Sequence, residues 1–290
     1  MAIQQELFSD GGSNDSTDSD NLRRHLKETL QGRNGFIGKI RDEIMPDSKH
    51  MAKLVQEKME NEGQSFSDPD RVIEKFIDCH YEIYKKHAES VGQSLSQFPL
   101  HKIVDEQIIN KLGENYLRQT IGEILGESAL QSRKSRAGLC LMDAISYTLE
   151  KSSLKFIQYQ DFQREFVGVP NCCAKLDFFF PNMPVYNHDP EHCCIVACQT
   201  TSNDRVRLIG AQVGKIALRR GCTAIGSENF SQTLGIKSLT PRKLEEEKSM
   251  GIKIVVFNRV IDKPLRESGV VISYADWFEE LSGLKKTWNN

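Results

Sequence analysis

The pattern of apolar and polar positions changes period about halfway along the chain. From Asn21 to about Tyr147 the apolar residues recur every three to four positions, the spacing of one helix face. Val72, Phe76, Ile77, Cys79, His80, Ile83 and Tyr84 form such a stripe behind the start signal Asp68-Pro69-Asp70. Met51 to Met59 and Leu100 to Leu112 form two more, and Ala137 to Glu150 predicts a further helix with Leu139, Met142, Ile145, Ser146 and Leu149 on its apolar face. After Leu154 the runs become short and β-rich. Phe156 to Tyr159, Ala174 to Phe180 and Cys193 to Thr200 predict a strand meander, divided by Val169-Pro170-Asn171 and the loop Asn182 to Pro190. Beyond it the pattern predicts a helix over Asn203 to Leu218, a short strand over Cys222 to Ile225 and a helix over Pro241 to Met250. A buried strand over Ile252 to Phe257, a strand over Val270 to Ser273 and a closing helix over Tyr274 to Leu281 complete the order. Helices followed by a mixed sheet with crossover helices make the class α/β or α+β.

Composition narrows the possibilities. A chain of 290 residues with 39% hydrophobic content can build a proper core. The stretch Ser9 to Asp20 cannot bury apolar surface, so residues 1–20 are expected as a disordered acidic leader without signal-peptide features. No apolar run approaches the roughly 20 residues of a membrane span, and a cytoplasmic location is expected. The formal net charge of −2 hides an asymmetry: the first twenty residues hold five acids and no base, leaving 38 basic against 35 acidic residues for the remainder. That mild excess neither requires nor excludes nucleic acid. Eight cysteines without a secretion signal read as reduced thiols. A zinc site among His192, Cys193, Cys194, Cys198, Cys172 and Cys173 lacks the usual Cys-x-x-Cys spacing, and ordinary buried cysteines are the simpler reading.

Three segments carry candidate chemistry. Asp177 interrupts the apolar strand Ala174 to Phe180, and a carboxylate there is costly unless it meets a cation or hydrogen-bond donors. Gln199 follows at the end of the next strand. The alternative for Asp177 is an aspartate making local hydrogen bonds at a strand end. The second segment, Cys198 to Arg207, leaves that strand through Thr200, Thr201 and Ser202, residues that cap a helix or contact a phosphate backbone. Beyond Asn203, the adjacent Asp204 and Arg205 have the donors and acceptors to read a C·G pair in the major groove. A capping acid beside a solvated arginine is the plainer reading. The third is Ser132 to Gly138, where Arg133, Lys134 and Arg136 stand before the helix of Asp143 and suit phosphate contacts at a helix entry. A solvated basic loop is its alternative.

The order SRKSRAG, PNCCAKLDFFFP, VACQTTSNDR and LEEEKSMGIKIVVF resembles the C-terminal catalytic domain of EcoRII and its relatives PspGI and NgoMIV. These are type II restriction endonucleases of the PD-(D/E)xK nuclease fold, and the resemblance covers roughly Ser132 to Leu281. It implies a restriction-endonuclease-like mixed central sheet flanked by helices, with a nuclease core over 131–290 and a helical region over 21–130 that dimerises and clamps DNA. It implies a metal-binding role for Asp177, and for Asp143 on the preceding helix. Gln199 stands where the family carries lysine, and Gln212 where it carries a second metal-binding glutamate on the following helix. Arg133, Lys134, Arg136, Thr200, Thr201, Asn203, Asp204, Arg205 and Arg207 become the DNA contacts. The implied activity is Mg²⁺-dependent hydrolysis of double-stranded DNA at a short palindromic site containing C·G pairs. A homodimer is the minimal assembly for a palindrome, with a tetramer as the larger alternative. Because an amide is neutral and a poor Mg²⁺ ligand, Gln199 and Gln212 leave a second reading open, a DNA-binding protein of this fold with impaired or absent catalysis.

Overall fold

The computed structural model describes residues 21, 23–24, 26–28, 38–39, 43–63, 65–97, 99–102, 104–158, 176–199, 218–227 and 234–288, without the side chains of 95–96, 107–108, 111, 125–135 and 183. The chain divides into two compact units. The first comprises Met1–His50 and Ile83–Ser135; the second comprises Met51–Glu82 and Arg136–Asn290. The core of the first is Leu26, Leu100, Val104, Leu117, Ile121 and Ile124, with Ile109 and Leu112 against it. Among the described residues no helix is long and apolar enough to cross a membrane.

The helices are α1 (Ser48–Asn61), α2 (Pro69–Ser96), α3 (Glu106–Leu112) and α4 (Glu114–Lys151), then α5 (Met183–His188), α6 (Leu234–Lys237), α7 (Pro241–Ser249), α8 (Lys263–Glu267) and α9 (Tyr274–Trp288). Helix α1 buries Met51, Val55 and Met59, one residue per turn of a single face. Helix α2 starts where its sequence says it should: Asp68 Oδ1 accepts from Arg71 N at 3.4 Å and Pro69 opens the first turn. It then buries Val72, Ile73, Phe76 and Ile77.

The second unit is built on a six-stranded sheet in the order β1 (Ile157–Gln158), β2 (Phe178–Phe180), β3 (Cys194–Gln199), β4 (Leu218–Thr223), β5 (Ile252–Val256) and β6 (Val271–Ser273). Strands β1, β2 and β3 pair antiparallel, the expected meander, while β3 through β6 run parallel. Every residue of β2 and β3 is buried, as expected of strands covered on both faces. Phe179, Ile195 and Ala197 pack with Ile157, Val185 and Tyr186. Elsewhere Phe180 meets Trp277 of α9 edge-on, with ring centroids 6.0 Å apart. The fold is therefore the mixed α/β sheet with flanking helices that the sequence implies.

Several local expectations are corrected. The expected loop Asn182 to Pro190 holds α5, which Asn182 caps by accepting from Val185 N at 3.1 Å. Strand β4 begins at Leu218 and ends at Thr223, whereas the pattern placed Leu218 in a helix and the strand over Cys222 to Ile225. The reason is the pair Arg219 and Arg220, which breaks the apolar run. The Arg220 guanidinium is only 2% exposed and is buried against Glu280 of α9 at 2.7 Å, a partner 60 residues away. The basic run Ser132 to Gly138 is likewise not a helix entry but lies inside α4. The helix starts at Glu114, after Gly113 with its φ of +84°, and neither Gly122 nor Gly138 interrupts it.

Candidate functional site

Strands β2 and β3 place Asp177 and Gln199 at the same end of the sheet. The antiparallel register pairs Phe178 with Val196, so the residue entering β2 lies beside the residues leaving β3. Asp177 N donates to Val196 O at 2.8 Å, and the Asp177 Oδ2 accepts from Cys198 N at 2.6 Å. The half-buried carboxylate is thus fixed by a backbone amide of the neighbouring strand. Local hydrogen bonding at a strand end, the plainer sequence reading of Asp177, is present and does not conflict with a ligand role.

Gln199 closes β3 with its side chain buried, 8% exposed. Its register partner on β4 is Thr223, and its carbonyl accepts from Ala224 N at 3.1 Å. Thr223 is itself wholly buried; its Oγ1 donates to Val255 O at 3.1 Å, and its carbonyl accepts from Tyr274 Oη at 2.8 Å. Sequence pattern does not single out Thr223 or Tyr274. A threonine after Gly221-Cys222 and a tyrosine opening a helix carry no periodic signal, and the residues they touch are far away in sequence.

Asp143 sits on α4, three-quarters of the way along, with burial pushing its carboxyl up to about 7. It shares the second unit with Arg136 and with His80 of α2. Burial, then the charge of Arg136, pushes the His80 imidazole down to about 4. Arg136 is partly buried. Arg133 and Lys134 fall on the same helix, but their side chains lie outside the described set. Thr200, Thr201, Asn203, Asp204, Arg205, Arg207 and Gln212 lie outside the described residues.

As cation ligands, Asp177 and Asp143 offer carboxylate oxygens, the donors that a hard divalent ion takes. Among the described residues no three His, Cys, Asp or Glu side chains form a group that could hold a metal ion. The described cysteines behave as packing residues. Cys79, Cys140, Cys193, Cys194, Cys198 and Cys222 are free and buried. Burial pushes the Cys193 and Cys194 thiols up to about 12, far from the thiolate form that metal binding or nucleophilic attack needs.

Comparison with known proteins gives one family and several structures. The family described as EcoRII C terminal matches residues 101–256. No curated protein sequence matches the chain. Among solved structures, the chain is similar to metal-depleted Ecl18kI in complex with uncleaved, modified DNA, with 15% identity over 92% of this chain and 86% of that one and a TM-score of 0.67. It is also similar to the restriction endonuclease PspGI in its substrate DNA complex, with 14% identity over 84% of this chain and 94% of that one and a TM-score of 0.57. At such identities the likeness is one of fold.

Proposed function

Because the chain belongs to the EcoRII C-terminal family of type II restriction endonucleases, we propose that it hydrolyses both strands of double-stranded DNA at a short palindromic site containing C·G pairs, using Mg²⁺. The observation that carries this reading is Asp177, a carboxylate set by the Cys198 amide at the end of the sheet where Gln199 also ends. Both structural neighbours are complexes with DNA, which supports DNA as the ligand. Asp177 and Asp143 would hold the cation, which when bound supplies polarisation of the scissile phosphate and a more acidic water.

The chain's own groups then have distinct tasks. Asp177 presents oxygens in a direction set by strand β3. Gln199 can donate a hydrogen bond from its amide and accept one at its oxygen, so it can orient a water or a phosphate oxygen without adding charge. Arg133, Lys134 and Arg136 neutralise phosphates. Thr200, Thr201, Asn203 and Arg207 contact the backbone beside them, while Asp204 and Arg205 read the C·G pairs. A two-fold homodimer matches a palindromic site, with the helical region 21–130 supplying dimer contacts and clamping DNA and the region 131–290 serving as the nuclease core. Gln212 would contribute at most a neutral oxygen.

Gln199 itself favours a second reading, specific DNA binding without cleavage, because no cation stands at that position to offset charge on the phosphate. Incubating supercoiled DNA rich in candidate sites with Mg²⁺ or Mn²⁺ separates the two. Discrete fragments are expected. Discrete retarded complexes without cutting would overturn hydrolysis and leave the binding protein, and no salt-dependent DNA binding at all would overturn both.

A further inference from the structure

We propose that Tyr274 is a positioning residue for the catalytic end of β3, acting through the end of β4; the proposal rests on the nuclease reading above. Tyr274 is the first residue of α9, and its side chain is 0% exposed. The β4–β5 ladder runs only to the pair Cys222 and Val255, so Thr223 lies past its end. A buried carbonyl there must find another donor. Tyr274 Oη supplies it at 2.8 Å.

What Thr223 does next reaches the site. Its Oγ1 donates to Val255 O at 3.1 Å and accepts from Ile225 N at 3.4 Å, which sets the turn after β4. Within that turn Ala224 N donates to Gln199 O at 3.1 Å. On the other side of β3, Cys198 N donates to Asp177 Oδ2 at 2.6 Å. The last two residues of β3 are therefore bonded in two directions, one to the carboxylate and one to a turn that Tyr274 and Thr223 hold still. The register partners Cys198 and Cys222 stand side by side on the two strands, both buried.

The aim of the hydroxyl is itself fixed from several sides. The ring packs against Phe257 and Trp277, with centroids 5.2 Å and 6.3 Å away. Ser273 N donates to Asp276 Oδ2 and Asp276 N donates to Ser273 Oγ, both at 3.0 Å, a reciprocal cap on the start of α9. Asp70 of α2 adds a third acceptor: its Oδ2 takes Ala275 N at 2.8 Å and its Oδ1 takes Asn258 N at 2.9 Å. Burial first, then the neighbouring thiols and Asp70, push the phenol well above its ordinary range, so it stays a donor. Losing the hydroxyl leaves the buried Thr223 carbonyl without this donor, and the cost falls first on the strand end that the bond holds.

Tyr274→Phe in the full-length chain tests this. Single-turnover cleavage is expected to fall about tenfold, the effect of one lost hydrogen bond on a rate, with DNA affinity measured in Ca²⁺ within about twofold of wild type. In the DNA-free protein, amide exchange should speed up at Ala224 and Cys198 and stay unchanged at Ile254 and Val256. Thr223→Val keeps the carbonyl that Tyr274 holds but removes the Oγ1 bonds to Val255 O and Ile225 N, so it should repeat both effects from within the turn, and Thr223→Ser, which keeps the hydroxyl, should restore them. Wild-type rates and wild-type exchange in Tyr274→Phe and Thr223→Val would overturn the proposal. So would faster exchange throughout the sheet with weakened DNA binding, the mark of general destabilisation. A wild-type chain that cuts no DNA sinks the nuclease reading and the catalytic role with it, while the exchange pattern separately reports whether Tyr274 holds the strand end.

Discussion

Arg220 and Asp177 both interrupt apolar runs of the same sheet, and they are handled in opposite ways. Arg220, at the amino half of β4, is buried to 2% exposure and closed off by carboxylate: its Nε and Nη2 donate to Glu280 Oε2 at 3.0 and 2.7 Å. Lys253 Nζ meets the other oxygen, Glu280 Oε1, at 2.7 Å, and Arg220 Nη1 donates to Arg219 O. Asp177, at the entrance to β2, stays half-buried, and the contact that aims it comes from a neutral backbone amide. Fully neutralised and enclosed, Arg220 can only hold α9 to the sheet. Half-buried and bonded by the Cys198 amide, Asp177 fits the ligand role proposed for it. Burial and the nature of the partner, more than the presence of charge in a strand, separate scaffold from site.

Substitution at each position sharpens that contrast, because one should cost chemistry and the other stability. Asp177→Asn keeps an oxygen able to accept from Cys198 N and removes only the charge. Cleavage should fall by about a thousandfold or more, roughly 4 kcal/mol of transition-state stabilisation, while urea denaturation shifts by less than about 1 kcal/mol. Arg220→Met leaves Glu280 facing a partly buried space with one cation fewer, and should lower unfolding free energy by about 3 kcal/mol. Its cleavage rate per folded molecule should stay within about threefold of wild type. If Arg220→Met destroyed cleavage without loss of stability, the scaffold reading of this ion pair would be wrong.

The same contrast marks how far the sequence was legible. Asp177 and Gln199 stood out because each ends or interrupts an apolar run, and the structure brings their strands to one end of the sheet. The buried strand β5 and the start of α9 were legible for a similar reason: their apolar runs are bounded by turn residues, and local pattern suffices. Strand β4 was misplaced because its arginines find partners far along the chain, Arg219 at the Met250 carbonyl and Arg220 at Glu280, 60 residues on. The length of α4 was hidden by Gly122 and Gly138, a residue type that helix interiors disfavour but that here interrupts nothing. Tyr274 and Thr223 escaped notice for the reason that hid Arg220: their bond spans 51 residues, and no periodicity encodes a partner that distant.

His80 extends the comparison to a group that titrates. It is buried in α2 at 6% exposure, and burial together with Arg136 pushes its imidazole down to about 4. The unfolded chain takes up a proton near the ordinary histidine value, whereas the folded one refuses it until about 4. Stability is therefore present above the unfolded value and is lost as pH falls towards the folded one. Between about pH 7.5 and about pH 5 the loss from this residue should be about 2 kcal/mol. Urea denaturation of wild type and His80→Gln at both pH values isolates it. An equal slope in the two proteins would mean that His80 is not held neutral in the folded chain.

Gln199→Lys carries the smallest expected effect and probes the boundary between the two kinds of residue. A lysine there supplies a cation beside the carboxylate end of the sheet, where charge develops on phosphate, and should raise single-turnover cleavage by about tenfold, or about 1.4 kcal/mol. The same position is 8% exposed, so the ammonium must be partly desolvated unless Asp177 or phosphate meets it. Unfolding free energy should therefore fall by about 1 kcal/mol in the DNA-free protein and recover when DNA is bound. Faster cutting with that small, DNA-reversible cost would show Gln199 to be a site residue whose chemistry has been moderated. An unchanged rate with a permanent loss of stability would instead assign Gln199 to the scaffold with Arg220, and shift the burden of catalysis onto Asp177 alone.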